Sequence, residues 1–351
     1  MSANNKKVFV GMSGGVDSSV AAFLLLKQGY NVTGVHIRGY NVDGCAEGDA
    51  QMARRAAEHL GIPFYVWDME REYKEAVVDY MVSSYKNGIT PNPDVMCNKE
   101  IKFGLFLDKA VQLGADCIAT GHYAVLDKNR NGYILRSATD DSKDQTYFLW
   151  TLGQAELSKA VFPLGELLKS EVRVIASKAG LPNSERKDSQ GICFLGKLSM
   201  PEFLSRYISG KPGPIMTVDG EKIGEHKGLP FYTLGQRHLG IEGMGGREPL
   251  YVARKDEDNN VLTVAPGNHP SLFSDKVFLN EVNIVRPDKI NEREIFVRVR
   301  YRQPLIAAKL IIGKKGEAEI TFDKPCKFVA PGQSAVFYSS VGEMIGGGVI
   351  V

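Results

Sequence analysis

The sequence predicts an N-terminal doubly wound α/β domain with a parallel sheet, a small central domain and a C-terminal antiparallel β-barrel. Three observations carry this. Short β-branched runs alternate with helix-like stretches up to residue 200. After Met200 the chain turns glycine-rich, with only short strand candidates. From Lys276 onward nearly every stretch between turns reads as strand. Strands separated by helices imply right-handed βαβ crossovers, whereas strand after strand across tight turns implies a small barrel. The expected division is 1–200, 201–275 and 276–351.

Taken in order, Val8–Met12 reads as a buried strand and Ser18–Gln28 as a helix ended by Gly29. Val32–Ile37 is the next strand, Ala46–Leu60 a helix closed by Gly61 and Pro63, and Phe64–Trp67 a third strand. Cys97–Leu113 has apolar Ile101, Leu105, Phe106 and Leu113 near one helical face, and Cys117–Ala119 returns to the sheet. Tyr147–Gly180 reads as further helix interrupted near Pro163. Lys211-Pro-Gly-Pro214 reads as a turn or linker, with strand candidates at Leu250–Ala253 and Val261–Val264. The C-terminal strands are expected at Val277–Val285, Glu294–Tyr301, Ala307–Ile312, Ala318–Phe322 and Ser334–Ser339.

The chain has 351 residues, 43 Lys+Arg against 41 Asp+Glu, and 43% hydrophobic residues, which excludes a disordered or fibrous protein. No apolar run approaches the roughly 20 residues of a membrane span, and the first residues carry no export segment, so no membrane association is expected. The near-neutral charge argues against strong nonspecific nucleic-acid binding but permits a local basic surface. Five scattered cysteines without a C-x-x-C disfavour a disulfide framework or a zinc site and suit a reducing cytoplasm.

Between the first strand and helix lies Gly11-Met12-Ser13-Gly14-Gly15-Val16-Asp17-Ser18-Ser19. Glycines let backbone N–H groups approach an oxyanion, the helix N-terminus adds its dipole, and the serines supply hydroxyl donors. Asp17 can hold a metal ion or orient the loop. The lysine of a Walker A motif is absent, and the spacing is not the dinucleotide G-x-G-x-x-G. The string resembles the phosphate loop of the ATP-pyrophosphatase superfamily, whose members adenylate a substrate and release pyrophosphate.

Cys97 follows Thr90-Pro91-Asn92-Pro93-Asp94, in which the prolines hold Asn92 and Asp94 on a stiff, extended loop. A thiol at a helix N-terminus ionises readily, and Asp94 is a candidate acid/base beside it. Cys117 and Cys326 read as small buried hydrophobes, and Cys45 is left unassigned. Arg298, Arg300 and Arg302 alternate along an expected strand and would share one face. From residue 276 onward 12 Lys+Arg face 8 Asp+Glu, so that face is either a backbone-binding surface or a solvated strand.

The strings Thr90–Asn98, Ala119-Thr-Gly-His-Tyr123, Lys143-Asp-Gln145, Asp188-Ser-Gln-Gly-Ile-Cys-Phe194 and Arg300-Tyr-Arg-Gln303, in this order, resemble the tRNA-specific 2-thiouridylase family along the whole chain. The resemblance implies sulfur insertion at C2 of the tRNA wobble uridine, after ATP with Mg2+ has adenylated O2. It implies ATP contacts from Gly11–Ser18, Ile37 and Gly121, a persulfide on Cys193, and Cys97 as the nucleophile that frees the sulfur through a transient Cys97–Cys193 disulfide. Asn92, Pro93 and Asp94 would meet the target base, and Lys143, Asp144, Gln145, His122, Arg300, Tyr301 and Gln333 the tRNA. An upstream sulfur donor, a cysteine desulfurase or a sulfur-carrier protein, is implied as a partner. The stretch Arg38–Cys45 departs from the Trp- and acid-rich pattern of many relatives. Two rival readings are another adenylating enzyme, which needs no paired cysteines, and a noncatalytic nucleotide sensor, which would release no pyrophosphate.

Overall fold

The computed structural model describes residues 5–40, 45–188, 198–240, 248–290, 295–314 and 316–351, without the side chains of 45 and 46. β1 (Lys7–Gly11), β2 (Asn31–Arg38), β3 (Phe64–Asp68) and β4 (Cys117–Ala119) precede a hairpin of β5 (Val125–Asn129) and β6 (Gly132–Arg136), and then β7 (Ala160–Val161). All but the hairpin form one parallel sheet in the order β3-β2-β1-β4-β7. Alternation along these strands divides the core in two. Phe9, Val35 and Ile118 face a helix over 70–86 and another over 93–112, while Val8, Val10, Val32, Cys117 and Ala119 face α1 (Val16–Lys27) and α2 (Cys45–Leu60). Helices on both faces explain why the central strands are apolar almost throughout rather than alternating with polar residues.

The two helices on the first face, α3 (70–86) and α4 (93–112), each contain a π-helical stretch, Lys74–Asp79 and Cys97–Phe106. α3 and the β5–β6 hairpin have no counterpart among the expected elements. The stretch 147–180 is also corrected. It holds a 3₁₀ turn at Thr146–Phe148, a short helix at Gln154–Leu157, the sheet strand β7 and only then α5 (Lys169–Lys178). β7 is a short strand lying just before Pro163, and so brief an apolar run carries no periodicity to separate strand from helix.

The second sheet, β8 (Gly213–Thr217), β9 (Lys222–His226), β10 (Leu250–Asp256) and β11 (Val261–Pro266), has the order β10-β11-β8-β9 with β11 and β8 parallel. The remainder closes as a six-stranded antiparallel barrel of β12 (Phe273–Ile284), β13 (Ile295–Arg298), β14 (Ile306–Ile312), β15 (Ala318–Lys327), β16 (Ser334–Tyr338) and β17 (Met344–Ile350). β12 pairs with both β15 and β17, shifting register at two bulges, and so closes the ring.

β17 escapes a reading by strand propensity because of its three consecutive glycines, Gly346–Gly348. The structure gives them a reason: a Cβ on Gly347 would lie 2.7 Å from the Trp150 ring. Trp150 is fully buried there and donates Nε1–H to Ser334 Oγ at 2.9 Å. Asn283 donates to the carbonyls of Trp150 and Leu152, and Tyr147 to those of Ser334 and Val299. The barrel is therefore locked against the N-terminal domain.

One expectation fails here. β13 ends at Arg298, Val299–Arg302 forms turns, and Arg302 adopts φ +63. The three arginines do not share a solvent-facing strand. Arg298 pairs with buried Asp144 at 3.2 Å, Arg300 donates to the carbonyls of Phe328 and Leu234, and only Arg302 is exposed, over the Tyr301 ring.

Candidate nucleotide and thiol site

The loop from Gly11 to Gly15 lies at the carboxyl end of β1, where strand order reverses between β1 and β4. This switch point is where open α/β sheets bind ligands. Gly14 adopts φ +81, and a Cβ on it would stand 2.5 Å from the Asp49 carbonyl, so only glycine fits. Gly15 caps α1 without any side-chain hydrogen bond, which leaves the first-turn N–H groups pointing outward for an anion. Ser18 Oγ accepts from Ser13 N–H, and Ser18 and Ser19 hydroxyls donate to the Gly15 carbonyl.

The loop is braced from behind. His36 is buried and donates Nδ1–H to the Met12 carbonyl at 2.9 Å, and its burial lowers its pKa, keeping the ring neutral. Asn183 donates to the carbonyls of Gly14 and Gly15 and to Ser19 Oγ, and Arg186 binds the Gly14 carbonyl and Asp49. Val16 packs into the apolar cluster behind α1, so only its backbone faces the loop. Ile37 is half-buried on β2 against the main core.

Four residues after β4 touch both halves of the site. A Cβ on Gly121 would lie 2.8 Å from Ser18 N, so the chain there abuts the start of α1. Tyr123 donates its hydroxyl to Asp17 Oδ1 at 3.0 Å, and its pKa rises through burial and then through the Asp17 charge. His122 lies between the Phe103 and Phe162 rings; Thr120 Oγ1 is 2.7 Å from its Nδ1 and Lys102 Nζ 3.5 Å from its Nε2. Burial and the Lys102 charge push His122 well below its ordinary pKa, so it is a neutral imidazole.

Lys102 belongs to α4, the helix that carries Asp94 and Cys97. Asn92 caps this helix, accepting from Val95 N–H, and Pro93 occupies its first turn, where a missing N–H costs nothing. Cys97 thus lies one turn inside the helix rather than at its N-terminus, buried and opening the π-helical stretch. Burial raises the Asp94 pKa, and the Lys102 charge opposes the rise. The loop ahead of the helix is held by the barrel: Gln333 donates to the carbonyls of Thr90 and Pro91 at 3.0 and 2.9 Å.

Several residues expected to contact RNA are engaged inside the protein. Asp144 is almost fully buried and accepts from Ala138 N–H, Thr146 N–H, the Thr146 hydroxyl and Arg298. Gln145 accepts from Tyr123 N–H, and Tyr301 packs on Phe148 with ring centroids 4.5 Å apart. Lys143 binds Asp188 at 2.8 Å. Cys193 lies outside the described residues, as do most of its neighbours in the Asp188–Phe194 string. Cys117 and Cys326 are the buried thiols expected, both pushed up to about 11 by burial. No group of three or more potential metal-ligating side chains occurs among the described residues.

Sequence reasoning missed Tyr123, Lys169, Arg173, Asn183 and Arg186 as residues gathered around the Gly11–Ser19 loop. Lys169 Nζ lies 2.6 Å from Asp17 Oδ1 and 2.9 Å from Asp188 Oδ1, and Arg173 also pairs with Asp188. Burial disfavours the ionised Asp188, but hydrogen bonds from Lys143 and Lys169 outweigh it and hold the carboxyl well below the usual range. These partners lie far from the loop in sequence, and no local pattern announces them.

Residues 6–197 match the tRNA methyl transferase HUP domain, 201–266 the tRNA methyl transferase PRC-barrel domain and 274–350 the aminomethyltransferase β-barrel domain. The tRNA-specific 2-thiouridylase MnmA of Alkaliphilus oremlandii is 46% identical over 98% of this chain and 96% of its own length. That of Streptococcus uberis is 47% identical over 100% and 96%, and that of Bacillus subtilis 46% over 98% and 94%.

Proposed function

The chain belongs to the tRNA-specific 2-thiouridylase family, and from that premise we propose how its residues divide an ATP-dependent sulfur transfer to tRNA. The enzyme is a tRNA-uridine 2-sulfurtransferase. The words methyl transferase in the matching domain descriptions name a different chemistry. An anion-binding loop at the switch point, together with an acid and a thiol on one helix, favours adenylation followed by sulfur transfer.

A pyrimidine carbonyl is a poor electrophile until its oxygen becomes a leaving group. ATP as co-substrate would lay its phosphates on Gly11–Ser18 and the N-terminus of α1, with Ile37 and Gly121 along its edge. Magnesium would ride chiefly on the substrate phosphates; Asp17, the carboxylate of the loop, already takes Lys169 and the Tyr123 hydroxyl on Oδ1 and would offer it at most its other oxygen. Asn92, Pro93 and Asp94 would frame the target base, with Asp94 moving the proton. Cys193 would carry the sulfane sulfur delivered by a cysteine desulfurase or sulfur-carrier protein. The Cys97 thiolate would attack the Cys193 sulfur, forming the Cys97–Cys193 disulfide and expelling hydrosulfide. Hydrosulfide then displaces AMP from C2, and a thiol reductant returns two electrons to the disulfide. Such a cycle needs a reducing compartment, and we place it in the cytoplasm.

The arginine turn gives a corresponding revision for RNA. Arg300, Gln333, Asp144, Gln145 and the buried His122 would shape the tRNA surface through what they hold, while Lys143 and Tyr301 would sit at its border.

The observation that carries this reading is the Thr120–Tyr123 segment, which touches Asp17 and Ser18 on one side and Lys102 of the Asp94 helix on the other. The test is mass spectrometry of two variants after exposure to a persulfide donor, with nucleoside analysis of the tRNA. Cys193→Ser should bind tRNA and ATP, load no sulfur and form no 2-thiouridine. Cys97→Ser should load Cys193 and stall. Normal thiolation by Cys193→Ser, or sulfur loaded on Cys97 instead, overturns the assignment.

A further inference from the structure

Lys169 is in a position that the loop alone does not require. It opens α5, its side chain is only 13% exposed, and its ammonium bridges Asp17 of the phosphate loop and Asp188. Lys143 and Arg173 converge on the same Asp188 carboxylate, each about one-third exposed and so open to solvent. Three cations thus face two carboxylates, Asp188 and Asp17, which leaves one positive charge in excess. Beside them lies the uncapped N-terminus of α1, whose N–H groups also seek an anion. A polyphosphate would meet both sets of donors at once.

We propose that Lys169, flanked by Lys143 and Arg173, binds the β- and γ-phosphates of the nucleotide, and that Asp188 is an internal counter-anion which those phosphates displace. This rests on the reading of the loop as an ATP site and adds the residues that grip the leaving pyrophosphate. Fixed cations facing the departing group stabilise the charge that develops as the α–β bond breaks. Asp188 keeps the cations from lying unpaired, and partly desolvated, when no nucleotide is bound. Its release would set a threshold: ligands with too few phosphate charges leave it in place. AMP, which has no β-phosphate, should neither reach Lys169 nor displace Asp188.

The test is calorimetric titration of the full chain with α,β-methylene ATP, with inorganic pyrophosphate and with AMP, each variant first shown to unfold in one cooperative transition. Lys169→Ala should weaken the ATP analogue and pyrophosphate roughly tenfold or more, as loss of a charge-assisted hydrogen bond predicts, and leave AMP unchanged. Lys169→Arg should recover most of the affinity. Asp188→Asn should tighten the analogue several-fold. Equal loss for AMP and for the analogue with Lys169→Ala, or weaker analogue binding by Asp188→Asn, overturns the proposal. If Lys169→Ala does not fold, Lys169→Arg and Asp188→Asn decide it by the same criteria. If the unmodified protein binds no analogue at all, the ATP reading falls first; analogue binding unaffected by Lys169→Ala sinks only the role of Lys169.

Discussion

Asp94, proposed above as the acid/base, shows how burying a carboxyl costs stability. Its folded-state pKa is raised, chiefly by burial. A raised value means that its contribution to stability is complete below the unfolded pKa and is lost as pH rises through the folded one. At neutral pH the ionised group is therefore a burden, and Asp94→Asn should melt higher than the unmodified protein while losing 2-thiouridine formation. Each kcal/mol relieved corresponds to a rise of roughly 2–4 °C. Calorimetry at pH 7 and pH 4 checks the sign, since the gain should shrink as the wild-type carboxyl protonates; a lower melting temperature at pH 7 would refute it. Candidates like these were legible from local strings, because the residue types at Ser13–Ser18 and Pro91–Cys97 lie contiguously. The partners of Asp17 were not. Tyr123 and Lys169 come to it from 106 and 152 residues away, and only the sheet order brings them there.

At the scale of elements, legibility followed contrast. β1, β2, β4, α1 and α2 stood out because their apolar runs end at or near glycine, and β3 because it follows Gly61 and Pro63, whereas β7 is two residues long and β17 is glycine-rich. The arginine strand misled for the opposite reason. Its alternation was regular, but Arg298 and Arg300 alternate between interior partners, an ion pair and two carbonyls, that no period-two pattern distinguishes from solvent. The connection between β1 and α1 yields a prediction of its own. Gly14→Ala combines a left-handed backbone, costing about 1–2 kcal/mol, with a methyl group driven against α2 at the Asp49 carbonyl. The loop should open to relieve the clash, so affinity for an ATP analogue falls at least tenfold while tRNA affinity holds. Parallel titrations with the two ligands check this, and equal losses in both would mean a global rather than a local effect.

For the whole molecule, the barrel acts as a buttress for the N-terminal domain. Gln333 holds the Thr90–Pro91 loop, Ser334 receives Trp150 and Tyr147, and Gly347 makes room for the Trp150 ring. Arg300 ties the turn after β13 to Leu234 and to Phe328 of the barrel. Arg300→Ala should accordingly cost about 1–3 kcal/mol through two orphaned carbonyls. The salt dependence of tRNA binding should keep its slope, because a lost phosphate contact would lower it by roughly 0.7–0.9. A reduced slope at unchanged thermal stability would restore a direct phosphate contact. Gly347→Ala should loosen the Trp150 contact and quench or shift indole fluorescence before the core unfolds; coincident fluorescence and circular-dichroism transitions would argue against it.

The Thr120–Tyr123 segment also has a consequence for how such an enzyme can change over generations. Because consecutive residues abut the nucleotide loop and the thiol helix, a one-residue insertion between Gly121 and His122 would misalign both at a stroke. On the proposed reading, activation at the loop and sulfur delivery at Cys97 would be coupled through this segment rather than separable as independent cassettes. If Asn92 frames the acceptor base as proposed, a lineage that adopts a new base would alter the rim around Asn92 and leave these four residues at fixed spacing.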